Sequence, residues 1–225
     1  MSPDPASDPH DWRPQAFGDR RAQQLRDPIV EPLWDGDRVL VHVGHGGVEI
    51  IDIEGIPVEA VPEIAAAVGE AVRAERLVLD GYLTPQASRT GQERLVGEVE
   101  IPTATQMTAQ MFLGRVRERK RELQDAPPPE VRPGDLLVFV AVDLLALDDR
   151  PLLDLPLLER KRLLESVLEE SLLVRRGLYV RPPIDPWIGA WRAQGFRAMA
   201  FKEANGRYRP GEKSPTWASA QIPVR

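Results

Sequence analysis

The octet Glu31-Pro32-Leu33-Trp34-Asp35-Gly36-Asp37-Arg38 decides how the rest of the chain is read. Glu31-Pro32 is an extended lead-in, since the residue before a proline is pushed away from helical angles. Asp35-Gly36 reads as a turn, in which the Asp side chain bonds its own backbone and glycine tolerates a positive φ. From Arg38 onward the chain alternates, with Val39, Val41 and Val43 on one face. Gly44-His45-Gly46-Gly47 then turns it into Val48-Glu49-Ile50-Ile51-Asp52-Ile53. Two β-rich runs joined by a short glycine loop make a hairpin. No Lys-Ser/Thr and no helix follow that loop, so it is not a phosphate cradle.

Upstream, residues 1 to about 25 lack apolar periodicity and form either a mobile arm or a segment draped over the domain of residues 26–225. Downstream, Val61, Ile64, Val68 and Val72 follow helical spacing, so residues 59–74 are an amphipathic helix with Pro62 in its first turn. Arg76-Leu77-Val78-Leu79 is a buried strand running into Asp80-Gly81. A second helix over 105–123 ends in an Arg-rich run and is broken by Pro127-Pro128-Pro129. Residues 136–142 are a core strand. Asp154 and Pro156 open a helix whose Leu157, Leu158, Leu164, Val167 and Leu168 share a face. A short helix near Pro186–Ala193 precedes strands at 196–202 and 216–222. Because the first two strands form a hairpin, the expected fold is α+β, with mixed, mostly antiparallel sheets and flanking helices.

With 225 residues the chain can bury a substantial core, and no apolar run approaches a membrane span. Its polar, Pro/Asp-rich start is unlike a signal peptide, so the expected location is cytoplasmic. Zero cysteines exclude disulfides and thiolate metal sites. A net charge of -6 argues against wholesale coating of nucleic acid but allows a local basic face. Of the 29 basic residues only Lys120, Lys161, Lys202 and Lys213 are lysines, so every role that needs an amine is easy to audit. His42 and His45 sit on the hairpin with His10 far away in sequence, and no metal site is expected.

The order of segments resembles the ATP-dependent DNA ligase family, whose first motif, Glu-Pro-Lys-x-Asp-Gly-x-Arg, directly precedes a β-hairpin. The family's Leu-Asp-Gly-Glu-Leu is matched by Leu79-Asp80-Gly81-Tyr82-Leu83, and its Phe-Asp-Leu-Leu by Val142-Asp143-Leu144-Leu145. The connector Leu152-Leu153-Asp154-Leu155-Pro156-Leu157-Leu158-Glu159-Arg160 is similar as well. Glu-Gly-Val-Val-Ala-Lys is matched by Arg197-Ala198-Met199-Ala200-Phe201-Lys202, and Tyr-x-Pro-Gly by Tyr208-Arg209-Pro210-Gly211. The final Trp-Leu-Lys-x-Lys becomes Trp217-Ala218-Ser219-Ala220-Gln221. The resemblance covers roughly residues 28–222 and implies the family's adenylation-domain fold.

It also implies what has been lost. In the family the motif lysine attacks the ATP α-phosphate and becomes lysyl-AMP, and attack needs a lone pair held in line with the leaving pyrophosphate. Leu33 has none. Acidic positions for metal or ribose are Tyr82 and Arg197, a basic position is Ile53, the adenine-stacking aromatic is Val142, and two phosphate-neutralising lysines are Ser219 and Gln221. Glu31, Asp35, Gly36, Arg38, Asp80, Gly81, Asp143 and Lys202 are retained. These serve the fold: the Asp-Gly pairs set turns, Arg38 pairs with Asp35 or Glu31, and Lys202 pairs with a retained carboxylate. ATP and magnesium are expected to bind weakly or not at all.

Between 189 and 213 six cations stand against two acids, and Arg192, Arg207, Arg209 and Lys213 are the candidate DNA contacts. A second basic run, 115–121, reads as a solvated helix face. The family's OB-fold module, which follows the last motif, is not expected here. The leading reading is a non-self-adenylating, ligase-like accessory factor for nicked or broken duplex DNA and repair proteins. The alternatives are a divergent ligase using Lys202 or partner proteins, a small-ligand binder with a remodelled nucleotide pocket, and a purely structural use of the fold.

Overall fold

The computed structural model describes residues 8–86 and 136–223. The expected helix over 105–123 and its basic run lie outside the described residues.

The strands are β1 (Ala16–Phe17), β2 (Pro28–Pro32), β3 (Asp37–Gly44), β4 (Gly47–Asp52), β5 (Leu77–Thr84), β6 (Val138–Leu147), β7 (Arg150–Pro151), β8 (Val174–Arg176), β9 (Ala198–Glu203), β10 (Lys213–Ser214) and β11 (Trp217–Gln221). The helices are α1 (Pro62–Ala71), α2 (Leu157–Val167) and α3 (Asp185–Ala193). The largest sheet runs β4-β3-β5-β6-β7, with β8 parallel to β6 and every other pairing antiparallel. A second sheet runs β11-β9-β2, antiparallel throughout. The architecture is therefore α+β, with mixed, mostly antiparallel sheets. No helix among the described residues is long and apolar enough to cross a membrane.

The alternation in β3 does what period two requires. Val39 and Val41 join Leu79, Phe139 and Ala141 in a cluster with Ile64 and Val68 of α1 and Leu164 and Val167 of α2. Leu40, on the other face, packs with Trp217 of the three-stranded sheet. All eight residues of β5 are buried, because this sheet is covered on both sides. The strand is thus longer than residues 76–79.

Asp80-Gly81 is not a turn. It lies in the middle of β5, at a register shift in its pairing with β6. A Cβ on Gly81 would lie 2.4 Å from the Phe139 ring and from the Val140 carbonyl oxygen, so glycine is required there for close approach. Gly36 does lie in a turn, but its need is similar: a Cβ would meet the Leu83 carbonyl oxygen at 2.3 Å.

Residues 8–25 lie against the domain. Trp12 is 1% exposed among Leu40, Val78, Leu145 and Trp217, and β1 pairs with β10.

Candidate functional site

The cleft between the two sheets is closed, filled by apolar clusters and by a buried group of charged side chains. Three retained carboxylates belong to that group, and each faces a cation supplied from within the chain.

Glu31 of β2 takes one ammonium per oxygen: Lys161 Nζ lies 2.6 Å from Oε1, and Lys202 Nζ donates to Oε2 at 2.7 Å. The Lys161 contact is a close ion pair without hydrogen-bond geometry. Burial pushes the Glu31 carboxyl up, but Lys161 and Lys202 more than offset this and leave it below the usual range. Burial pulls the Lys161 ammonium down, against the attraction of Glu31. Lys202 also lies 4.3 Å from the centre of the Trp217 ring, and Lys161 5.3 Å from that of Tyr179.

Asp143 of β6 is fully buried and receives Arg160 as a fork, Nε to Oδ1 and Nη2 to Oδ2, both at 2.8 Å. The Leu144 backbone N–H donates to Oδ1 at 2.9 Å. Asp80 receives a second fork, from Arg38 Nε at 2.9 Å and Nη2 at 2.6 Å. The Tyr208 hydroxyl also donates to Asp80, at 2.7 Å, and in turn accepts from the Gln15 backbone N–H. Arg38 thus pairs with Asp80 on the neighbouring strand, not with Asp35 or Glu31. The reason is register: Arg38 opposes Tyr82 and Leu40 opposes Asp80, so a long side chain reaches the carboxylate diagonally. Burial lowers the guanidinium pKa, but Asp80 outweighs that and raises it well above normal.

The substituted positions divide in two. Tyr82 and Val142 are buried in an apolar cluster with Trp34, Val30, Trp191, Phe196 and Met199, and Leu33 packs against it. The Leu33 backbone N–H donates to the Ala198 carbonyl at 3.0 Å. Burial pushes the Tyr82 hydroxyl up to about 12, so an acidic position of the family now holds a group neutral at pH 7. Ile53, Arg197, Ser219 and Gln221 are exposed. Asp35 is half-buried in its turn, where its carbonyl accepts from the Thr84 hydroxyl. Among the described residues no group of three or more His, Cys, Asp or Glu is placed to hold a metal ion.

Arg192, Arg207, Arg209 and Lys213 are all exposed. Three have acidic neighbours: Arg207 with Asp154 at 3.0 Å, Lys213 with Asp19 at 3.2 Å and Arg209 with Glu212 at 3.8 Å. Lys202, counted in the local positivity of 189–213, is inside the cleft. The exposed basic character is therefore smaller than the composition of that span suggests. Nor is His10 far from His42: the rings stack at 4.4 Å with 13° between planes.

Sequence reasoning missed Arg160 and Lys161 as cleft residues, yet a signal was present. Leu157, Arg160, Lys161, Leu164 and Val167 all lie on the buried side of α2, at helical i, i+3, i+4, i+7 spacing. Two cations on an otherwise apolar stripe call for buried partners.

The ATP dependent DNA ligase domain family matches residues 20–219. Among its relatives, the probable DNA ligase of Streptomyces coelicolor is 31% identical over 200 residues, covering 86% of this chain and 35% of that protein. DNA ligase 2 of Methanosarcina mazei is 25% identical over 215 residues, covering 91% and 34%. The multifunctional non-homologous end joining DNA repair protein LigD of Mycobacterium tuberculosis is 27% identical over 192 residues, covering 83% and 20%. The chain thus spans about a third or less of the length of these relatives. In fold it is similar to the ligase domain of M. tuberculosis LigD, with a TM-score of 0.61 at 22% identity, over 96% of this chain and 61% of that one. A mycobacterial DNA ligase D complexed with ATP and MES superimposes with a TM-score of 0.59 at 20% identity, over 96% and 62%. The match over most of its length, on this fold, makes the chain a member of the ATP-dependent DNA ligase family, whose adenylation domain it represents.

Proposed function

We propose that this ligase-family domain does not adenylate itself and serves DNA repair as a DNA-binding accessory to other repair proteins. The observation that carries the reading is the state of the cleft. Leu33 stands where the family's amine acts, and Glu31, Asp80 and Asp143 are each engaged by a cation of the chain itself.

A magnesium nucleotide needs open carboxylate oxygens and cations aimed at phosphate. The side chains present fit neither need. The three carboxylates already have partners, Tyr82 is a neutral phenol packed in an apolar cluster, and Ser219 and Gln221 bring no charge. No bound ATP or magnesium enters this reading, and no chemical step is assigned to either. Leu33, Tyr82 and Val142 in that apolar cluster also weigh against a remodelled small-ligand pocket.

The rival, a divergent ligase using Lys202, meets a specific obstacle. The Lys202 side chain is only 4% exposed, and its Nζ donates to Glu31 and sits over Trp217. Such an ammonium has no free lone pair and no approach for a phosphate.

Incubation with α-labelled ATP and magnesium should leave no covalent label that stays with the protein through denaturing electrophoresis. A labelled band that disappears in Lys202→Ala would establish the rival. DNA binding is tested with nicked duplex at two salt concentrations, since phosphate contacts release counterions and weaken with salt. Charge reversal at Arg192 and Arg197, both exposed, should abolish the salt-sensitive binding. Equal binding by that variant would remove this surface from the reading.

A further inference from the structure

A hollow of about 720 Å³ surrounds the tip of the β3–β4 hairpin, four residues along β3 from the Arg38 end of the cleft. Its walls carry four carboxylates, Asp8, Glu49, Glu59 and Asp149, against one arginine, Arg76, already paired with Asp149. Valines and prolines line much of the remainder. His42 stands in the wall, more than nine-tenths buried, and its Nε2 has no hydrogen-bond partner among the described residues. His10 lies flat over it, with 59% of its own side chain exposed and Nδ1 3.3 Å from Glu49.

We propose that this hollow is a docking site for an arginine side chain on a segment of a partner protein. Three features of the wall fit a guanidinium. A planar cation stacks on an exposed ring face, here the outer face of His10. The fork of N–H donors matches carboxylates in pairs, and Glu49 stands beside that ring with Asp8 and Glu59 on the same walls. The apolar wall takes the methylene stem. The surplus of carboxylates repels nucleic acid, so the occupant is protein and not DNA. This site is separate from the cleft, and its test does not depend on the reading of the cleft.

A fluorescent peptide carrying two arginines in a Gly/Ser background is titrated with the full chain at about 0.15 M salt, where long-range attraction is largely screened. Saturable binding is expected, with the lysine version of the peptide several-fold weaker. Glu49→Gln with Glu59→Gln should weaken binding by about tenfold or more, the size of a lost charge-assisted contact. Glu165→Gln with Glu169→Gln makes the same charge change on exposed positions of α2 and the segment after it and should leave binding unchanged. Because all four residues are exposed, each variant folds, which its melting curve verifies. Absence of saturable binding, equal weakening by both double variants, or equal affinity for the lysine peptide would overturn the proposal.

Discussion

Retained and substituted motif positions lie side by side between the sheets and have opposite fates. Glu31, Arg38, Asp80, Asp143 and Lys202 keep their identities and are all joined in ion pairs. Leu33, Tyr82 and Val142 have changed and pack with apolar neighbours. The first set holds strands and a helix together with charge, the second by excluding water. A carboxylate retained from a catalytic family is therefore not evidence of catalysis where a cation of the same chain occupies it.

The largest blow to this contrast is Arg160→Met, which strands the Asp143 carboxylate in a fully buried place. Removing one partner of a buried pair costs about 3–5 kcal/mol, read as a shift in the urea midpoint. The double change Asp143→Leu with Arg160→Met should recover most of that loss. If it does not, the pair contributes more than mutual neutralisation.

His42 calibrates the contrast with a buried polar group whose Nε2 has no hydrogen-bond partner among the described residues. Burial, with smaller contributions from His10 and Arg13, lowers its pKa from 6.5 to about 4, while Asp8 acts in the opposite sense. Above pH 6.5 neither folded nor unfolded chain protonates it, so its contribution is complete. As pH falls toward 4 the unfolded chain takes up the proton first, and stability drops by up to about 3 kcal/mol. The difference between native protein and His42→Asn, followed from pH 7 to pH 4 (about half a unit per step), isolates this slope from that of the carboxylates. An unchanged slope would contradict the burial argument.

Gly81→Ala tests the steric side. Its methyl meets the Phe139 ring and a carbonyl oxygen, and overpacking of this kind costs about 1–3 kcal/mol. The smallest effect is expected from Leu33→Lys alone: no covalent label from α-labelled ATP that survives denaturing electrophoresis. The missing amine is then only one of several lost contacts. A labelled Leu33→Lys protein would mean that the surrounding site had kept its competence.

The hairpin, the paired helices and the late strands were legible because each rests on local periodicity. Asp80-Gly81 was misread as a turn because Asp-Gly carries that meaning locally. Here glycine answers to the Phe139 ring, more than fifty residues away. The partner of Arg38 was hidden for the same reason, since a diagonal contact depends on strand register. Within the site, a carboxylate partner for Lys202 could be read from the sequence, whereas the departures at Leu33, Tyr82 and Val142 rest on the family resemblance. The role of Lys161 could not be read by motif, because no motif position points to it. The stripe along α2 would have revealed it.

Glu31 has one further consequence, for folding order. Its two ammonium partners come from α2 and β9, so a single carboxylate joins segments 130 and 171 positions downstream. Such contacts form only after long stretches of chain have been organised, and folds dominated by them are slow. During synthesis the β2 carboxylate can meet Lys161 first and lacks its second ammonium until residue 202 has emerged.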